Sequence, residues 1–247
     1  MPTGSAAPIV LAAHGSRDPA SSATMRELAR RVARVWPAPV VPAFLDFDRP
    51  SIPDALARLP GTVSPVVVPA LLTDAYHGRV DLPGVLAAAP DPARLARVLG
   101  PDPLLVVALR RRLSELDGVA DGVVLSAAGT SDPLARSTVD ATAAELGESL
   151  GVPTRVGYAS TSGPTAGEAV VALRAGGARE ILVAPYFLAP GRLYTAAARS
   201  ALDAGAAGVA APLGPAPELV RLIVARALAA PMDDTKKAPV VSPGRFS

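Results

Sequence analysis

The chain has 247 residues, room for one large domain or two ordinary ones, and at 50% hydrophobic, 19% charged and 4% aromatic it has the composition of a folded globular protein, not a disordered one. Basic residues exceed acidic ones by 24 − 22 = 2, and they are scattered and almost all arginine, which excludes the basic stripe of a nucleic-acid-binding surface. The absence of cysteine excludes disulfides, thiolate zinc sites, cysteine nucleophiles and cysteine-ligated clusters, and no apolar run reaches the ~18 residues of a membrane span. With no basic n-region at its start, the sequence reads as a cytoplasmic protein with neither a membrane nor a nucleic acid as partner.

In chain order, "VLAAHGSRDP" (10–19) reads as strand, loop and helix start, with Asp18 as N-cap and Pro19 at the first helical position. The helix that follows has Met25, Leu28, Ala29, Val32, Val35 and Trp36 on one apolar face. Next come a strand over 39–45, a helix from Pro50 to Leu59, a strand over 65–72, a helix after Asp81-Leu82-Pro83 and a strand over 103–109. The run "LRRRLSEL" (109–116) reads as a solvated helix face near a linker.

The second half repeats the first. "VLSAAGTSDP" (124–133) matches 10–19 at an offset of 133 − 19 = 114, carrying Leu11, Gly15, Asp18 and Pro19 onto Leu125, Gly129, Asp132 and Pro133. A helix with Val139, Ala143, Leu146 and Leu150 inward follows, then strand-like "TRVGYA", "EILVAPYFL" and "GVAAPL". Continuous apolar strands alternating with helices predict parallel sheets covered on both faces, in two pseudo-twofold lobes of about four strands each over 1–116 and 117–231. The aperiodic tail over 232–247 is expected to be loose.

Ligands of open parallel sheets bind beyond the carboxyl ends of the strands. His14, Asp46 and His77 follow the first three predicted strands at spacings of 46 − 14 = 32 and 77 − 46 = 31, about one βα unit each, so they can share one sheet edge. Two imidazoles and a carboxylate suit a divalent transition metal with open positions. A packing role is the alternative, but the repeat has Ala128 in place of His14 and no imidazole near Arg192, which favours function in the first lobe alone. There is no G-x-S-x-G elbow, G-x-G-x-x-G or Walker A sequence, which argues against serine-nucleophile and dinucleotide or nucleotide chemistry.

"AAHGSRDP" (12–19), "AFLDFDRPSI" (43–52) and "VVVPALLTDAYHGRVDLP" (66–83) resemble, in order, the signature stretches of the class II tetrapyrrole chelatases, specifically the sirohydrochlorin chelatases in their long two-lobe form. The resemblance implies two tandem flavodoxin-like lobes facing a cleft, and ATP-independent insertion of a divalent metal into sirohydrochlorin for sirohaem or cobalamin synthesis. It implies His14 and His77 as metal-binding and proton-accepting residues, and Asp46 as a carboxylate ligand one methylene shorter than the usual glutamate. Ser16, Arg17, Arg79 and Arg192 would meet the substrate's carboxylates. The metal is a substrate and no prosthetic group is expected; Fe2+ is favoured over Co2+ because the histidine-rich tract and cluster-binding cysteines of some cobalt-associated members are missing. A monomer or weak dimer is expected, since the duplication supplies within one chain what single-lobe forms obtain by pairing. A non-catalytic metal or tetrapyrrole carrier, and a metal-dependent hydrolase, are the alternatives.

Overall fold

The computed structural model describes residues 6–61, 63–74, 82–88, 92–160 and 163–231. The first lobe runs β1 (Ile9–Ala13), α1 (Pro19–Ala33), β2 (Val40–Phe44), α2 (Ile52–Ala57), β3 (Val66–Pro69), α3 (Leu82–Ala87), β4 (Arg94–Leu95) and α4 (Pro103–Leu113). The second repeats it as β5 (Gly122–Ala127), α5 (Pro133–Leu150), β6 (Thr154–Tyr158), α6 (Ala166–Ala175), β7 (Ile181–Pro185), α7 (Arg192–Asp203), β8 (Gly208–Val209) and α8 (Pro217–Leu228). Each lobe is a parallel sheet, ordered β2-β1-β3-β4 and β6-β5-β7-β8.

The central strands are apolar without interruption because both of their faces are covered. Ile9, Leu11 and Ala13 of β1 enter one core, while Val10 and Ala12 enter a second one under α2 and α3. In β5, Val123, Leu125 and Ala127 join that same first core and Val124 faces α6 and α7. A single aliphatic core therefore runs between the two sheets, filled by α1, α4, α5 and α8.

The predicted caps form as read. Asp18 accepts the Ala20 N–H at 2.9 Å, and Asp132 accepts the Leu134 N–H at 2.8 Å. Helix α1 stops at Ala33, however, so Val35, assigned to its buried face, is 63% exposed.

The segment 103–109 is not a strand. It forms helix α4, because Asp102 accepts the Leu104 N–H at 3.0 Å, Pro103 opens the first turn, and Leu105, Val106, Ala108, Leu109 and Leu113 fall on one buried face. The fourth strand is instead the two-residue β4. Nor is 109–116 a solvated face. Arg111 Nε meets Glu218 of α8 at 3.3 Å and Arg112 donates to the Leu213 carbonyl at 3.0 Å, so this end of α4 forms part of the seam between the lobes. The seam closes further on with Arg226, which donates to the Val98 and Leu99 carbonyls at 2.8 Å and to Asp102 at 3.0 Å. No helix among the described residues is long and apolar enough to cross a membrane. The tail over 232–247 lies outside the described residues.

Candidate active-site cleft

The loop from β1 to α1 is drawn tight by its own side chains. Ser16 Oγ accepts the Asp18 N–H at 3.1 Å, which sets up the helix cap, and the Ser16 N–H donates to Asp48 Oδ2 at 3.1 Å, which ties the loop to the one after β2. The same two loops are joined at the backbone, where the Asp46 N–H donates to the His14 carbonyl at 2.9 Å. Gly15 lies at φ +94°, and a Cβ there would collide with the Asp46 carbonyl oxygen, so this crossing requires glycine. His14 and Asp46 are therefore immediate neighbours at the ends of adjacent strands, as their spacing predicts.

A cleft of about 640 Å³ opens beyond these strand ends, between the lobes. His14, Ser16 and Arg17 line it from the first lobe, and Phe187, Arg192 and Tyr194 from the second. His14, Arg17 and Arg192 are all exposed to solvent there. Arg192 begins α7, whose first turn has no side-chain cap and no acidic residue, so the helix end adds to the positive character of that wall. Phe187 and Tyr194 pack edge to face at 6.1 Å, and the Tyr194 hydroxyl donates to the Ala210 carbonyl at 3.3 Å. Burial pushes the Tyr194 phenol up from its ordinary value, so it stays neutral as a wall residue.

Asp46 stands at the rim and not in the lining, with Oδ1 accepting the Phe47 N–H at 2.8 Å. His77 and Arg79 lie outside the described residues. Among the described residues no three His, Asp, Glu or Cys side chains converge, and of the three expected ligands the structure shows His14 and Asp46 as backbone neighbours. Phe47, which sequence reading did not single out, lines the cleft beside His14, their rings 6.1 Å apart at 78°. Nothing in its residue type marked it, because its prominence comes from backbone geometry.

The second lobe builds the same loop crossing without the imidazole or the carboxylate. The Ser160 N–H donates to the Ala128 carbonyl at 3.1 Å, the counterpart of Asp46 to His14. Gly129 again has φ +94° with Ser160 packed against it. The duplicated scaffold carries imidazole and carboxylate in one copy, and alanine and serine in the other.

The CbiX family model matches the chain twice, over residues 8–116 and 122–230. Among solved structures, the sirohydrochlorin chelatase SirB from Bacillus subtilis subspecies spizizenii in complex with cobalt is similar at 21% identity and TM-score 0.75, covering 90% of this chain and 94% of that one. SirB from Bacillus subtilis with Fe3+ gives 22% identity, TM-score 0.75 and the same coverages of 90% and 94%. CbiX, described as the terminal enzyme for biosynthesis of siroheme in denitrifying bacteria, gives 23% identity and TM-score 0.66 over 90% of this chain and 97% of that one. Comparison with curated protein sequences gives no match. These likenesses establish a shared chelatase-like fold, and the tandem family match, one copy per lobe, carries the assignment: the chain belongs to the CbiX family.

Proposed function

We propose that this protein is a sirohydrochlorin chelatase, inserting a divalent metal, with Fe2+ favoured and Co2+ the alternative, into the tetrapyrrole without ATP. The observation that carries the reading is the pairing of His14 and Asp46 at adjacent strand ends, in one lobe only, at a 640 Å³ cleft flanked by Arg17 and Arg192. Similar folds in sirohydrochlorin chelatases described with cobalt and with Fe3+ support it.

Metallation exchanges two pyrrole N–H protons for one divalent cation. A neutral imidazole can bind the incoming metal or take a proton near physiological pH, and both tasks need contact with solution, which His14 has. Asp46 stands next to it on the rim, where a carboxylate oxygen can join an imidazole nitrogen in holding a borderline divalent cation awaiting transfer. His77 would supply the second imidazole and Arg79 a further anion contact. Arg17 and Arg192, on opposite walls, would meet carboxylates at the substrate's periphery, and Ser16, whose oxygen already accepts the Asp18 N–H, still has a hydroxyl proton to donate.

Anaerobic incubation of the protein with sirohydrochlorin and Fe2+ or Co2+, followed by absorbance, tests this reading. A metallation rate well above the metal-only control is expected, and a rate equal to that control contradicts it.

A further inference from the structure

Phe47 is the one non-glycine residue at positive φ among the described residues, at 61°. The Asp48 N–H donates to the Asp46 carbonyl at 2.7 Å, closing a three-residue γ-turn with Phe47 at its centre. The positive-φ form of that turn is rare and strained, and a bulky side chain is a poor occupant of it. Both neighbours in sequence are aspartates, which tolerate this conformation better, yet the chain puts an aromatic ring there.

Burial does not explain the choice. Phe47 is 52% exposed, on the open side of the cleft. It stands edge to face against His14, and the Arg17 guanidinium lies over it, 5.4 Å from its centroid. Strain retained beside a reactive group points to a role in what the site binds. An exposed ring with a guanidinium fixed to it matches a ligand that is flat and apolar at its centre and anionic at its edge. The ring offers apolar contact to the flat part and holds Arg17 where a peripheral carboxylate would arrive.

We infer that Phe47 is a specificity-determining contact of the cleft, selecting planar conjugated macrocycles with carboxylates at their periphery. The identity of the macrocycle rests on the chelatase reading above, whereas the role of Phe47 rests on the turn and the ring geometry.

The test is binding of metal-free uroporphyrin III, a planar octacarboxylate, to the full chain by fluorescence anisotropy, with thermal unfolding of each variant alongside. F47L, similar in bulk but without a π face, is expected to weaken binding about tenfold, while F47W restores it to within about twofold of wild type. F47A and F47G are expected to lose binding as F47L does, with F47G melting above F47A because glycine relieves the turn. Wild-type affinity in F47L, or a loss in F47W equal to that in F47L, overturns the inference, as does F47G melting below F47A. Failure of the wild-type protein to bind uroporphyrin III also overturns it, while the chelatase reading is decided separately by the metallation rate with sirohydrochlorin.

Discussion

Gly15 meets two demands at once, a left-handed φ of +94° and a backbone approach that leaves no room for a Cβ beside Asp46. Gly118 shares the φ of +94° but has open space around it, so the pair separates the two effects. G118A is expected to cost about 1 kcal/mol from conformation alone, and G15A roughly 2–4 kcal/mol because the crossing of the two loops must shift as well. Urea unfolding measures both, and equal losses would show that the approach of Asp46 contributes nothing. His14 was legible at this scale because histidine is rare in the chain and this one follows a strand. Phe47 was not, since a left-handed φ at a phenylalanine leaves no trace in residue type; it follows from how two loops meet.

Helix α4 is the element that sequence reading got wrong, and the signal was present. Its Asp102-Pro103 start repeats the Asp-Pro pattern read correctly at 18–19 and 132–133, and α8 begins at the equivalent position, 217 − 103 = 114. The run of apolar residues from Leu104 to Leu109 hid the period, because Val107 is apolar although it lies off the buried face and is 46% exposed. The true fourth strands of the two sheets, β4 and β8, are two residues long and carry too little pattern to read. Asp102 also does more than cap, since its second oxygen holds Arg226 at 3.0 Å with both side chains at least 80% covered (20% and 16% exposed). D102A is accordingly expected to destabilise by about 2–4 kcal/mol, combining a lost cap with an unpaired, largely buried guanidinium. D18A, at an exposed cap, should lose only about 1 kcal/mol, and D102N should fall between them because it keeps an acceptor for Leu104. Denaturant midpoints check the order, and D102A equal to D18A would remove the Arg226 pairing from the account.

Across the whole molecule, the duplication produced one core shared by both lobes, with a smaller one on the outer face of each sheet, and Tyr186 of the second lobe donates to the Leu72 carbonyl of the first at 3.1 Å. Desolvation holds the Tyr186 phenol far above its ordinary value, so this tie between lobes stays protonated through the physiological range. The lobes are therefore expected to unfold together. The single tryptophan, Trp36, lies in the first lobe with its indole N–H on the Ala7 carbonyl at 2.8 Å, so its fluorescence reports that lobe while far-ultraviolet circular dichroism reports both. Coincident urea transitions are predicted, and an early or late tryptophan transition would mean separable lobes.

The two-lobe α/β architecture was legible because the repeat and the strand–helix alternation are written in the chain. That the histidines stand in one lobe only was legible by subtraction, since the repeat has Ala128 at the position of His14, whereas Ser160 as the counterpart of Asp46 emerged from the shared backbone crossing. That asymmetry is the central claim, and the initial rate of anaerobic sirohydrochlorin metallation by H14A, at unchanged melting temperature, tests it most directly. The account predicts a loss of about 100-fold or more, on the scale of removing an acid–base group or metal ligand; H14A turning over at the wild-type rate would contradict it.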